Sequence, residues 1–312
     1  PGELTISGSN YDDHYEIVDN HDGTWEVQQT RTFSGVEYIA DRLTVDPSSS
    51  PGRDSINQFR DALTKIVFWA RGGNDEIRLD RSITVGMTAY GGSGDDRFYG
   101  GGGNDRLYGD SGNDVIYAYE GQDYIYGGSG DDWLNGGSQN DTIYGESGYD
   151  NLFGYAGNDY LNGGSEDDFI RGNDGDDTIY GGVGNDRLYG ESGNDVVRGD
   201  SGDDYLSGGL GNDTLAGGSG NDQLYGNEGH DQIYGESGID RLFGGDGNDL
   251  LDGGFDFVAD SLQGDAGTDT LVQYCYARSY GRPGVYSTVL EETIAALSED
   301  VTQYRYLGTF NF

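Results

Sequence analysis

Between residues 91 and 252 a large apolar side chain returns at every ninth position. The series runs Phe98, Leu107, Ile116, Ile125, Leu134, Ile143, Leu152, Leu161, Ile170, Ile179, Leu188, Val197, Leu206, Leu215, Leu224, Ile233, Leu242 and Leu251. Chance does not hold phase over so many units, so the pattern is that of a repeat array. The three residues centred on each apolar position predict a short strand. Its middle side chain points inward and its two neighbours point outward.

Glycines complete the period. The first unit reads Gly91-Gly-Ser-Gly-Asp-Asp96-Arg-Phe98-Tyr99, and the last Gly244-Gly-Asp-Gly-Asn-Asp249-Leu-Leu251-Asp252. Both follow G-G-x-G-x-D-x-U-x, where U is apolar. The glycines at positions one, two and four are expected to permit positive φ and close backbone approach. Two units of turn and strand make one coil of 18 residues. Coils stacked at about 4.8 Å give two parallel sheets with one Leu/Ile layer between them, and nine coils give a rod section roughly 43 Å long. The expected fold is all-β: a parallel β-roll or β-helix solenoid, with irregular N-terminal coils and a C-terminal cap.

All 18 units carry Asp at position six. The 18-residue coil sorts these into two rows. One edge holds Asp96, Asp114, Asp132, Asp150, Asp168, Asp186, Asp204, Asp222 and Asp240; the other holds Asp105, Asp123, Asp141, Asp159, Asp177, Asp195, Asp213, Asp231 and Asp249. Stacked carboxylates repel one another. A divalent ion between turns removes that repulsion, and hard oxygen donors in irregular loops suit Ca²⁺ better than Mg²⁺.

The nonapeptide resembles the RTX (hemolysin-type) calcium-binding repeat, and the resemblance covers residues 70–272. It implies a parallel β-roll in which each ion sits between successive turns of one edge, held by aspartates and backbone carbonyls. Nine turns per edge leave eight gaps, hence about 16 Ca²⁺ ions. Asp75 belongs to a good unit at 70–78, and Asp260 and Asp269 extend the rows at the other end. Some units depart from the pattern. Gln139 and Glu166 replace the fourth glycine, Ala118 the first, and Tyr119 and Tyr155 the second. Residues 253–263 contain two extra positions, so Asp260 and Leu262 keep their roles only through a bulge. The unit at 264–272, with Asp269 and Leu271, is the last good match.

Composition changes how the repeat is read. With 57 acidic and 17 basic residues the net charge is −40, and only 33% of residues are apolar. Such a chain is expected to repel nucleic acid and anionic membranes. Low apolar content with high charge ordinarily means disorder. Here it means a chain that folds when calcium binds. Sixteen divalent ions would bring the charge to about −8. No run approaches the roughly 20 apolar residues of a membrane helix, so no membrane insertion is expected. The single Cys275 allows no intrachain disulfide or thiolate cluster. The first residues carry no basic-then-apolar leader, which leaves a removed signal or another export route.

The flanks are less regular. Residues 8–15, ending in Asp13-His-Tyr15, read as a degraded unit, and 25–28, 36–40, 43–45 and 66–69 as strand-like runs. Residues 82–85 read as a rung lacking a calcium turn, and 46–59 as an insertion. Residues 273–312 hold Tyr274, Tyr276, Tyr280, Tyr286, Tyr304 and Tyr306 while the glycine period stops. Thr288-Val-Leu-Glu291 has the spacing of a capping box before Ile294-Ala-Ala-Leu297, so this stretch is a short helix or a strand covering the end. The closing residues 308–312 are a candidate export signal. The expected domains are 1–69, an irregular solenoid or cap; 70–272, the calcium-binding roll; and 273–312, a cap or assembly segment.

Aromatics mark the outward positions. One sheet is expected to carry Tyr99, Tyr117, Trp133, Phe153, Phe169, Tyr189, Tyr205, Tyr225 and Phe243; the other carries Tyr108, Tyr124, Tyr126, Tyr144, Tyr160, Tyr180 and Tyr234. They stack across strands, or they form a face for self-association or extracellular polysaccharide. Catalytic signatures such as G-x-S-x-G, H-E-x-x-H and the phosphate loop do not occur. Paired acids such as Asp95 and Asp96 recur with the repeat and read as ligands or solvated loops. His14, His21 and His230 are the only histidines, and His230 reads as a surface loop residue.

The functional expectation is a secreted, bacterial, extracellular or surface-located calcium-binding protein. It acts as a non-enzymatic structural component that self-assembles through rod ends or the aromatic face. The alternatives are a module of a larger secreted enzyme or adhesin, and a carbohydrate-binding solenoid.

Overall fold

The computed structural model describes the backbone of residues 2–7, 13–19, 25–33, 36–45, 63–254, 260–279 and 282–293, and the side chains of residues 6, 14–17, 65–254 and 260–272. The chain divides into two compact units, Pro1–Tyr160 and Leu161–Phe312. Each is a parallel β-roll of short strands joined by glycine turns, as the nine-residue period requires.

In the first unit one sheet runs from Gly2–Ser7 through Leu63–Gly72, Met87–Ser93, Arg106–Ser111 and Tyr124–Ser129 to Thr142–Ser147, all parallel. The other runs from Asp13–Asp19 through Glu76–Leu79, Arg97–Gly101, Val115–Glu120 and Trp133–Ser138 to Asn151–Ala156. The second unit repeats this design. Phe169–Asp174, Arg187–Ser192, Tyr205–Leu210, Gln223–Glu228 and Arg241–Gly247 form one sheet. Thr178–Val183, Val196–Ser201, Thr214–Ser219, Gln232–Ser237 and Leu250–Asp252 form the other. Register is 18 residues per coil: Leu188 pairs with Leu206, and Leu206 with Leu224. Every position-eight side chain from Phe98 to Leu251 has no solvent exposure. One apolar layer, contributed by both sheets, is the core.

The ends of the repeat follow the same logic with irregular parts. Tyr15 pairs with Ile77, is buried, and packs on Phe68 with ring centroids 5.8 Å apart, so it takes the place of a position-eight residue. Asp13–Asp19 also pairs antiparallel with Trp25–Phe33, which pairs antiparallel with Val36–Val45. At the other end the strand Ser261–Ser279 serves both sheets. Leu262 pairs with Leu242 and Leu271 with Leu251, before an antiparallel return along Arg282–Thr293. The two extra residues of 253–263 are therefore absorbed without loss of register, although Leu262 is only half-buried.

One local expectation is corrected, and one alternative is decided. Residues 82–85 are a turn, not a rung, and the strand starts at Met87. Asp80 accepts hydrogen bonds from the backbone N–H (2.9 Å) and hydroxyl (2.7 Å) of Ser82, which closes a side-chain turn there and leaves Ile83 buried. Of the helix and the strand left open for this stretch, residues 288–291 take the strand: they lie within Arg282–Thr293, where tertiary pairing with Ser261–Ser279 overrides the local capping pattern. Residues 46–59, 294–297 and 308–312 lie outside the described residues.

The outward aromatics stack along the coil direction. In the first unit Trp69, Tyr90, Tyr108, Tyr126, Tyr144 and Tyr160 form a ladder with ring centroids 4.1, 4.9, 5.0, 5.1 and 5.6 Å apart. In the second, Phe169, Tyr189, Tyr205, Tyr225 and Phe243 do the same at 5.5, 5.6, 5.2 and 4.7 Å. From Trp69 to Tyr144, and at Tyr225–Phe243, the rings are stacked within 11° and their faces cover one another, whereas the other pairs are tilted by 34–49°.

Candidate metal centre

Each nonapeptide makes a turn whose positions have distinct jobs. Position two is left-handed throughout: Gly92 has φ of 100°, Tyr119 of 78° and Glu191 of 80°. Non-glycine residues stand there in half of the units, at the strain of about 1–2 kcal/mol that left-handed backbone imposes on L-residues, although a Cβ on Gly92 would lie 2.0 Å from the carbonyl oxygen of Arg71 in the preceding coil. Position four is left-handed in nearly every unit, and its space is also closed: a Cβ on Gly202 would lie 1.6 Å from the carbonyl oxygen of Gly184 in the preceding coil. Position one needs glycine for another reason. Its φ is ordinary, but a Cβ on Gly199 would sit 2.2 Å from Oδ2 of Asp204 and 2.6 Å from the carbonyl oxygen of Gly217. The expectation of positive φ at positions one, two and four thus holds for two of the three. Position one is a cradle over which a carboxylate oxygen and a carbonyl oxygen converge.

The same cradle recurs. Oδ2 of Asp96, Asp105, Asp114, Asp132, Asp186, Asp195, Asp213, Asp222 and Asp231 lies 2.2 or 2.3 Å from the Cβ site of the first glycine in its unit. Beyond the regular repeats, Asp260 and Asp269 hold the same place over Gly253 and Gly264 at 2.3 Å. Ala118 puts a real methyl at this position, in the unit of Asp123.

The two oxygens of each carboxylate have different fates. Oδ1 accepts a hydrogen bond from the backbone N–H of the aspartate one coil earlier. Asp96 N–H donates to Asp114 Oδ1 (2.7 Å), Asp105 to Asp123 (2.7 Å), Asp186 to Asp204 (2.8 Å) and Asp231 to Asp249 (2.9 Å). The ladder starts with Asp75 N–H on Asp96 (2.6 Å) and ends with Asp240 on Asp260 and Asp249 on Asp269, both 3.0 Å. Oδ2 of Asp96, Asp105, Asp114, Asp123, Asp132, Asp141, Asp186, Asp195, Asp204, Asp213, Asp222, Asp231, Asp249 and Asp269 is buried and accepts no hydrogen bond. Asp75, Asp150, Asp159, Asp168, Asp177 and Asp240 are buried in the same rows, whereas Asp260 is half-buried.

Burial sets the electrostatics. It pushes the carboxyl of Asp105 up to about 9, against the pull of the hydrogen bond from Met87 N–H, with further push from Asp123 and Asp141. Asp96 rises to about 8 and Asp141 to about 9, again first by burial and then through the neighbouring aspartates. In the second unit Asp204, Asp213, Asp222 and Asp231 rise to about 7. A buried carboxylate with an unmet oxygen is a costly arrangement unless a cation answers it.

A second ladder runs outside the first and was not recognised in the sequence. Position-five side chains accept from the backbone N–H of position five in the next coil. Asn113 donates to Asp95 Oδ1 (2.9 Å), Asp131 to Asn113 (3.0 Å) and Asn221 to Asp203 (2.7 Å). It therefore points opposite to the position-six ladder. His230, an exposed turn residue as expected, also belongs to it: its N–H donates to Asn212 Oδ1 (2.8 Å), and its Nδ1 accepts from Asn248 N–H (2.9 Å). Asn or Asp fills 14 of the 18 fifth positions, which is the signal that could have revealed it. Asp176 shows its effect, since N–H donation from the Asn194 backbone and side chain holds that carboxyl below its usual range.

The donor set fits a hard divalent cation. Among the described residues no three His, Cys, Asp or Glu side chains converge on one point. Carboxylates alone therefore do not form a chelate, and carbonyl oxygens such as that of Gly217 must share the coordination, as Ca²⁺ readily accepts. Copies of the model for the RTX calcium-binding nonapeptide repeat match at 88–116, 108–143, 117–152, 135–170, 153–188, 162–197, 189–224 and 225–257. No curated protein matches the chain. With these overlapping matches covering more than half its length, the chain belongs to the RTX calcium-binding nonapeptide-repeat family.

Proposed function

We propose that Oδ2 of each position-six aspartate is a calcium ligand, and that ions sit between successive turns along both edges, about 16 in all. The observation that carries this reading is the row of buried carboxylate oxygens without hydrogen-bond partners, such as those of Asp96, Asp105, Asp114, Asp132, Asp186, Asp204 and Asp222, which face the cradle of a first-position glycine. Bound calcium supplies positive charge to oxygens that the fold has removed from water. The residues do the rest: Oδ1 fixes the carboxylate through the backbone ladder, and the glycines hold the space open.

On this reading calcium is the condition for folding. The core is one side-chain layer thin, and the metal-free rows resist ionisation. Scarce cytosolic calcium would leave the chain unfolded for export, and extracellular calcium would fold it. The protein then serves outside the cell as a non-enzymatic structural component. Residues 70–272 form the calcium-loaded part, with Asp75, Asp260 and Asp269 closing the rows, and 1–69 and 273–312 act as caps or assembly segments. Self-association through the terminal strands is supported by their pairing. Gly2–Ser7 pairs only with Leu63–Gly72, and Arg282–Thr293 only with Ser261–Ser279, among the described residues. Each leaves a strand edge available to another copy.

The test is a calcium titration of metal-stripped protein followed by circular dichroism, with bound ions counted by equilibrium dialysis and mass followed by analytical ultracentrifugation. Cooperative gain of β structure with many ions bound is expected. No gain of β structure would refute the folding role, and a calcium-loaded monomer at high concentration would refute assembly.

A further inference from the structure

We infer that a groove on the outer side of one edge of the first unit, formed by Asn104, Arg106, Gln122, Tyr124, Asn140 and Thr142, binds a neutral polysaccharide segment. The inference rests on the calcium-loaded roll proposed above. The groove has a volume of about 420 Å³, within the range of small-ligand sites. Its residues come from positions five and seven of three successive coils, so it runs along the coil direction for about 10 Å at the strand spacing. The carboxylate row borders it, and Asp105 of that row also lines it. Asp105 turns its Oδ1 to the N–H of Met87 (2.6 Å) and its Oδ2 toward Gly100.

Three features set this stretch apart. First, the outer ladder is interrupted. Gln122 N–H donates to Asn104 Oδ1 (3.0 Å), but the longer Gln122 side chain accepts nothing from Asn140 in return, and its amide makes no hydrogen bond among the described residues. Second, Tyr124 stands outside the stacked ladders. It is 43% exposed and has no ring partner among the described residues; only the Arg106 guanidinium lies over it, at 5.3 Å. Thr142 occupies the next coil at the same register, so a small side chain stands where a ring would cover Tyr124. Third, Arg106 has no ion pair among the described residues, although the chain carries 57 acidic side chains.

An amide with free donors and acceptor, a guanidinium and a hydroxyl meet the vicinal hydroxyls of a sugar. The uncovered tyrosine face meets its apolar C–H face. Charge selects a neutral sugar, because the calcium-loaded roll keeps a net charge of about −8 that repels acidic glycans and Arg106 repels amines.

Calcium-loaded full-length protein, its β structure verified by circular dichroism, would be titrated calorimetrically with cellohexaose, maltohexaose and trigalacturonate. At least one neutral oligosaccharide should bind with Kd below about 1 mM. Tyr124→Ala and Gln122→Ala should each weaken it about tenfold or more with the dichroism unchanged, whereas Tyr225→Ala, within a stacked ladder of the second unit, should not. Absence of binding by the folded protein, binding of trigalacturonate alone, or binding indifferent to both groove variants would overturn the inference. Failure to fold on adding calcium would instead strike the calcium reading, so the two failures are distinguishable.

Discussion

Replacing Asp204 by Asn separates the two roles of its carboxylate. Asn keeps the Oδ1 that accepts the N–H of Asp186 at 2.8 Å, but it removes the charge and the buried Oδ2. Burial, with the charges of Asp186, Asp200 and Asp203, pushes this carboxyl up to about 7. One pKa unit corresponds to about 1.4 kcal/mol, so ionising Asp204 inside the metal-free fold costs on the order of 2–4 kcal/mol at pH 8. Asp204→Asn removes that cost, and the new amide can donate to the carbonyl of Gly217 beside the same cradle. The metal-stripped variant should therefore fold at a lower concentration of a stabilising salt such as sulfate than the parent. With calcium present the sign reverses. The variant should bind at least one ion fewer and show a higher calcium midpoint. Asp204→Ala loses the ladder hydrogen bond too, leaving a buried N–H at a cost of about 1–3 kcal/mol, and should be less stable than Asp204→Asn without metal and less stable than the parent with calcium. Circular dichroism at pH 8 with and without calcium reads all three proteins. If Asp204→Asn were the more stable protein in both conditions, Oδ2 would not be a calcium ligand.

Three further outcomes follow from the same geometry. The folded metal-free carboxyls are raised, so the native state holds more protons than the unfolded chain and loses stability as pH rises. β structure in stripped protein should be greatest near pH 4 and fade as pH rises from there through the raised values of about 6 to 9, as a dichroism titration would read. Gly199→Ala places a methyl 2.2 Å from Oδ2 of Asp204 and should abolish one calcium site, whereas Ala118→Gly clears the corresponding space in the unit of Asp123 and should tighten binding there; equilibrium dialysis checks both. Leu206→Ala, in the single buried layer, should cost about 2–5 kcal/mol in a calcium-loaded urea melt.

The coil length, the inward residue of each strand, the two aspartate rows and the place of Asp260 at the end of its row are all legible in the sequence, because each follows from a strict period. A nine-residue repeat read twice determines which residues share a face wherever the turns stay constant. The period also carries the identity of the bound metal, through carboxylates set beside glycines.

Other features depend on partners 18 or more residues away, which no local pattern specifies. The position-six ladder points back one coil and the position-five ladder points forward. A period cannot tell these directions apart, yet the difference leaves one carboxylate oxygen satisfied and the other exposed to the cradle. The need for glycine at position one lies in a carbonyl from the neighbouring coil, as at Gly199 and Gly217, and not in the turn's own dihedral angles. Residues 288–291 have a helix-capping pattern but become strand because Ser261–Ser279 offers a pairing edge. Tyr126 and Tyr124 are both outward tyrosines in sequence; stacking covers the first, and the small Thr142 leaves the second uncovered. Sequence by itself determined the period and its chemistry, and contact between coils decided which atoms were left facing a ligand.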